Sequence, residues 1–268
     1  MALTFACFHL PAPNAGTAKT YWALFQLMCA SVRRIVPDAE IHLLTHAEAE
    51  IPDSIAATHI FRRAAGETIK ESFAHLMRAE TQTWREYVSS DSLRGPTVMM
   101  DIDILLQKDP AALFDGGFDI GLTYTADTTL HPFNAGIILI DPTQRKAPML
   151  NFFAQLDEFV AGLTPEYQEW YGDQMALAQI VGTDSAASWR GIVDRETDGI
   201  RLRAFPADIW NASLILDADN KPIFAAMPDA GIVHFKGERK GLMLRYATEV
   251  LGIAAREDAT APGGWRFS

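Results

Sequence analysis

Apolar and polar positions alternate along the first hundred residues in two periods, one of strands and one of helices. Residues 3–9 are apolar and strand-like, and 14–17 supply turn and capping residues. Tyr21, Trp22, Leu24, Phe25, Leu27, Met28, Val32 and Ile35 then form a broad apolar helical face that stops before Pro37-Asp38. Residues 41–45 and 59–61 read as short strands, and Ile69, Phe73, Leu76, Met77, Trp84 and Val88 fall at helical spacing through a second long helix. The apolar run Thr97-Val98-Met99-Met100 is the next strand. Such alternation predicts an α/β fold with a mostly parallel central sheet flanked by helices, whose ligands gather at the carboxyl ends of the strands.

Further along, Asp109-Pro110 and Leu113-Phe114 predict a short helical turn, 119–123 and 136–140 two strands, and 149–159 and 174–180 two helices. Residues 184–199 and 216–228, rich in Asp, Gly, Ser and Pro, read as long loops, and 231–235 as the last strand. Without repeat, low-complexity tract or linker, residues 1–268 are expected to form one domain. Its first half would span about 1–140, its second half about 141–255, and its tail 256–268, with Trp265 and Phe267 able to dock it.

Composition narrows the function. Apolar residues make up 49% of the 268, enough to fill a core of that size. The 34 acidic residues against 23 basic ones give a formal charge of -11, which disfavours nucleic acid and anionic lipid as partners. No basic segment precedes the apolar N-terminal residues, and no apolar run reaches the roughly 20 residues needed to span a bilayer, so the expected location is cytoplasmic. Cys7 and Cys29 lack metal-type spacing and are expected to be buried and reduced.

Asp101 and Asp103 stand between Met100 and the apolar Ile104-Leu105-Leu106. Carboxylates in such a run are costly to bury unless a cation neutralises them. In an extended segment residues i and i+2 share a side, so both can face one hard cation while Ile102 turns into the core. Divalent ions that serve nucleotide chemistry are held in this way, by one or two carboxylates with open positions left over. A turn with two solvated aspartates is the plain alternative for D-x-D alone.

Three further segments add to the pair. Val98-Met99-Met100-Asp101-Ile102-Asp103 resembles the D-x-D strand of glycosyltransferases with the Rossmann-like GT-A fold. Phe133-Asn134-Ala135-Gly136 and the apolar residues after it resemble the F-N-[AS]-G strand of retaining family 8, which includes glycogenin and lipopolysaccharide galactosyltransferases. Gly172-Asp173-Gln174 is similar to that family's D-Q element, and residues 231–237 to its closing H-F-x-G strand. Pro206 to Asn211 matches a short segment ending in asparagine before that strand. The resemblance runs, in order, over most of residues 1–240. It departs after Gly237, where Glu238-Arg239-Lys240-Gly241-Leu242 replaces the usual lysine, proline and tryptophan. It also lacks the basic tail that takes some relatives to membranes.

The resemblance implies a GT-A nucleotide-diphospho-sugar transferase fold and retaining transfer of a hexosyl unit from a nucleotide-diphosphate sugar, a UDP-sugar by preference. The acceptor would be a glycan, a lipid-linked molecule or a protein. It implies Asp101, Asp103 and His234 as metal ligands, and an imidazole among them favours Mn²⁺ over the alternative, Mg²⁺. Asp173 and Gln174 would line the reacting face of the sugar. Arg78, Asp101, Asn134, Ala135, Gly136, Asn211, Gly237 and Lys240 would contact the donor. Of Trp84, Trp170, Trp189 and Trp210, Trp210 is the favoured acceptor-stacking residue, while the other six histidines are left as structural or surface residues. Two competitors stand beside this: a haloacid-dehalogenase-type phosphatase, whose D-x-D sits near the N-terminus, and a non-catalytic nucleotide-sugar binder of the same fold.

Overall fold

The computed structural model describes residues 2–64, 66–126, 131–182 and 186–268. Strand β1 (Thr4–Phe8) is buried along its whole length, and α1 (Ala15–Ile35) follows it. Asn14 starts the helix by accepting hydrogen bonds from the N–H groups of Gly16 (2.9 Å) and Thr17 (3.2 Å). Next come β2 (Glu40–His46) and β3 (His59–Arg63). The long helix expected over 69–88 is two helices, α2 (Ile69–Ala74) and α3 (Leu76–Ser89). They part at His75, whose backbone is non-helical (φ -129, ψ 57), while the apolar spacing runs on through both.

Strands β4 (Thr97–Met100), β5 (Ile104–Leu106), β6 (Ile120–Tyr124) and β7 (Phe133–Ile140) lead to α4 (Lys146–Ala161), α5 (Pro165–Glu169) and α6 (Gly172–Val181). The region expected to be a loop over 184–199 instead carries β8 (Val193–Thr197), which turns back into β9 (Ile200–Pro206); residues 183–185 lie outside the described chain. β8 is a polar edge strand without a buried face, so hydrophobic alternation does not mark it. The remaining elements are α7 (Ala207–Trp210), β10 (Ala212–Ser213), β11 (Ile232–His234), α8 (Met243–Glu249) and a hairpin of β12 (Ala255–Glu257) and β13 (Trp265–Phe267).

The main sheet has the order β3-β2-β1-β4-β7-β6-β9-β8. Its pairings set β3, β2, β1, β4, β6 and β9 in one direction and β7 and β8 in the other. Alternate residues of each central strand feed opposite cores. Phe5, Cys7, Val98, Met100 and Leu139 pack against α1 and α8, whereas Ala6, Phe8, Met99 and Ile138 pack against α3, α4 and α6. Burying an aromatic or branched side chain such as Phe5 contributes roughly 1.5–3 kcal/mol, so both layers of helices are held by the same strands.

The strand expected over 231–235, β11, is formed by Ile232–His234 and lies in a separate sheet of order β10-β11-β5. β11 runs antiparallel to β5, with His234 opposite Ile104. The C-terminal hairpin docks on α1, where a side chain at Gly263 (φ +74) would collide with the Ala23 backbone. Cys7 and Cys29 are buried free thiols, and among the described residues no helix is long and apolar enough to cross a membrane.

Candidate metal centre and cleft

The two aspartates lie where the chain leaves the main sheet at β4 and enters the small sheet at β5. The segment is a turn, not the extended stretch expected, because the two sheets it joins diverge. Two backbone bonds pin it: Asp101 N–H donates to Gly136 O (3.1 Å) and Phe235 N–H to Asp103 O (2.9 Å). Ile102 does turn into the core. The carboxylates nonetheless converge, with His234 Nε2 3.3 Å from Asp101 Oδ2 and 3.2 Å from Asp103 Oδ1. Ligand atoms of the three residues all lie within 4.8 Å of one another, the only such group among the described residues.

A shell of amides sets the imidazole. His234 Nδ1 is 2.9 Å from Asn211 Oδ1, and Asn211 Nδ2 donates to Thr123 Oγ1 (2.8 Å) and Asn134 Oδ1 (2.9 Å). With both amide hydrogens spent on acceptors, Asn211 can only accept from His234, so Nδ1 carries a proton and Nε2 is the nitrogen turned towards the aspartates. Metal-binding histidines are oriented in this way. Two oxygen donors and an oriented imidazole fit a divalent ion. Gly136 makes room for the cluster: a Cβ there would lie 2.5 Å from His234 Cε1 and 2.8 Å from Asp101 Oδ2.

Charge is unevenly shared. Burial alone would raise the Asp103 carboxyl, but His234 and the Lys240 ammonium, 2.7 Å from Oδ2, hold it well below the usual range. Asp101 goes the other way: burial raises it, and His234 offsets this only in part. The pair opens onto a cleft of about 580 Å³ at the carboxyl ends of β4 and β6, which Asn134, Asp173, Gln174, Lys236 and Gly237 also line. A narrower apolar cavity of about 190 Å³, walled by Phe8, His9 and Tyr21, adjoins it and shares Glu80 and both aspartates.

Asp173 sits in the first turn of α6, behind Tyr171 as N-cap, and burial pushes its carboxyl up to about 7. Ala135 is buried in β7 beside the cluster. Asn211, expected against the donor, is 1% exposed and bonded behind His234. Arg78 does not line the cleft, although its neighbours Met77 and Glu80 do. Trp210 packs over Gly231 instead of facing the cleft, Trp84 and Trp189 are core residues, and Trp170 is the tryptophan at the cleft mouth. Glu80 went unnoticed in the sequence, and Lys236 figured there only as a member of the H-F-x-G segment, without a role of its own. Glu80 carried a signal, a carboxylate in the apolar stripe of Leu76, Met77 and Trp84, by the same logic that marks Asp101.

No family model and no curated protein sequence matches the chain. Solved structures do. A glycosyltransferase involved in glycosylation of the major capsid of PBCV-1 matches with TM-score 0.54 and 13% identity, over 91% of this chain and 100% of that one. The galactosyltransferase LgtC, solved with donor and acceptor sugar analogs, gives 0.51 and 15%, over 92% and 95%. The apo-form glycosyltransferase GlyE of Streptococcus pneumoniae TIGR4 gives 0.54 and 13%, over 92% of this chain and 59% of that one. What is shared at these identities is the fold, the glycosyltransferase GT-A architecture. The phosphatase alternative would place the pair near the N-terminus, whereas here it follows the fourth strand.

Proposed function

We propose that the chain is a metal-dependent, retaining glycosyltransferase that moves a hexosyl unit from a nucleotide-diphosphate sugar, a UDP-sugar by resemblance, to an acceptor hydroxyl. The observation that carries this is the meeting of Asp101, Asp103 and His234, remote in sequence, at the floor of one cleft in a glycosyltransferase fold.

Asp101, Asp103 and His234 would hold the ion, Mn²⁺ by the donor set, with Mg²⁺ as the alternative. When bound, it supplies positive charge that stabilises the departing diphosphate. Lys240 and Lys236, which line the same cleft, add positive charge for phosphate oxygens, and Gly237 (φ +58) leaves the backbone bare for close approach. Asn134 and Gly136 border the sugar, and Asp173 and Gln174 are the groups available to the positive charge that grows at the anomeric carbon. The acceptor oxygen bonds to that carbon, the bond to the diphosphate breaks, and the acceptor proton leaves with the nucleotide. The buried free thiols fit a reducing, cytoplasmic setting.

Calorimetric titration of UDP with Mn²⁺ tests the site. Wild type is expected to bind UDP only with the ion, and Asp103→Asn to weaken that binding by about tenfold or more. Equal UDP binding in chelator would refute the assignment. Nucleotide release from a panel of nucleotide sugars separates enzyme from binder: tight binding with no turnover, even slow hydrolysis, would favour the binder.

A further inference from the structure

One buried carboxyl of the cleft belongs neither to the metal cluster nor to any bond of the fold. Glu80, in the second turn of α3, is 7% exposed and shares the apolar stripe of that helix with Leu76, Met77 and Trp84. It lines both the cleft and the narrower apolar cavity, and so stands at the passage between them. Among the described residues no hydrogen bond or ion pair reaches it, and the charges that bear on it, those of Asp101, Asp173 and Asp103, are all negative.

A carboxyl this deep is costly without a partner, and it faces open space into which a partner can come. The ion is not that partner, because the converging ligand atoms belong to Asp101, Asp103 and His234. Nor is Arg78, two residues earlier on the same helix, whose own Nε is buried without a bond and which does not line the cleft. Helix α3 packs against α6, so Glu80 and Asp173, whose Oδ1 is likewise buried and unpartnered, border the same space from two helices. With Asp101 they enclose the part of the cleft where the transferred sugar lies in the transferase reading.

Building on that reading, we propose that Glu80 sets donor specificity: it accepts a hydrogen bond from a hydroxyl of the transferred sugar, so that uncharged hexoses are taken and hexuronic acids are turned away. The field around Glu80 is the field a sugar carboxylate would meet. A bound ion does not cancel it, since its charge is shared between its own carboxylates and the diphosphate. The cations that line the cleft are placed elsewhere. Lys240 is 2.7 Å from Asp103 Oδ2, Lys236 answers the charges of Asp101 and Asp103, and Arg239 follows in the same segment after β11; none of them bears on Glu80. A hydroxyl supplies the missing donor without adding charge, and a site built around such a bond rejects a group that cannot make it.

The test is calorimetry on the full chain with Mn²⁺, using UDP-glucose, UDP-galactose, UDP-glucuronate and UDP-galacturonate, each measured against UDP with the same protein so that the ratio isolates the sugar. Wild type should bind at least one neutral donor no more weakly than UDP, and both uronate donors about tenfold or more below that neutral donor. In Glu80→Gln the gap should shrink to about threefold or less, because the amide keeps the shape but removes the carboxylate. Glu80→Gln should also melt no lower than wild type, since no bond of the fold is lost, which separates lost recognition from lost folding. A uronate donor bound as tightly as the better neutral one would overturn the proposal, as would a gap unchanged in Glu80→Gln; in both cases UDP binding would leave the transferase reading standing. Failure of wild type to bind UDP with Mn²⁺ would instead remove that reading, and the proposal with it.

Discussion

Asp173 carries the clearest pH signature in the cleft. Burial pushes its carboxyl up to about 7, the Gln174 N–H opposing and the charge of Asp101 adding to the rise. The unfolded chain ionises the same group at about 3.9. Between those values the unfolded state has released a proton that the folded state keeps, so stability falls as pH rises and the penalty is complete above pH 7. Asp173→Asn is therefore expected to melt higher than wild type at pH 8, by an amount worth a few kcal/mol (roughly 2–4), and no higher at pH 4, in calorimetry without metal or nucleotide. An equal difference at both pH values would show that the carboxyl ionises normally. Asp101 and Asp103 were legible in the sequence because charge inside an apolar run needs a partner. Asn211 was legible as a motif member but not in its role, since only burial tells whether an amide meets a ligand or a neighbouring imidazole.

Among the elements, β6, β9 and the start of α4 are joined through one carboxylate. Asp119 accepts hydrogen bonds from Arg145 Nε (3.0 Å), Arg201 N (2.7 Å) and Arg201 Nη2 (3.1 Å), and also pairs with Arg145 Nη2. Its side chain has no exposed surface yet lies near the rim of the molecule, and both guanidiniums are partly hydrated, so solvent tempers the pairing. Asp119→Ala is expected to cost about 2–3 kcal/mol in urea unfolding at pH 7 with the slope unchanged. Burial would raise this carboxyl, but Arg145 and Arg201 outweigh it and hold it below the usual range. Its contribution is present above the unfolded value and is lost as pH falls through the folded one, so the gap between the proteins should narrow below about pH 4. The hairpin that holds Arg201 was missed for a local reason. Asp198 and Gly199 both take positive φ (49 and 75), the two-residue turn that Asp-Gly favours, and Ile200, Leu202 and Ala204 alternate with arginines after it. The signal was there, but the polar edge strand before it read as loop.

At the scale of the whole molecule, the metal centre exists only because two sheets meet. The aspartates follow β4 of the main sheet, and His234 ends β11 of the small one. The order of motifs and the strand–helix alternation anticipated the fold, but not the second sheet: a three-residue strand such as β11 has no periodicity of its own and is defined by its pairing with β5, more than a hundred residues away. A site divided in this way exists in the folded chain alone, so metal and nucleotide should stabilise the native state by mass action. At a hundredfold excess over the dissociation constant that amounts to about 2.7 kcal/mol, which for a chain of this length corresponds to about 5–8 °C in melting temperature. Mn²⁺ with UDP is expected to give that shift, UDP in chelator little of it, and Asp103→Asn little under either condition. Differential scanning fluorimetry reads all of these on one plate. A full shift from UDP in chelator would mean that the nucleotide is held without the ion, and the two aspartates would then have to be read as partners of Lys240 and His234 alone.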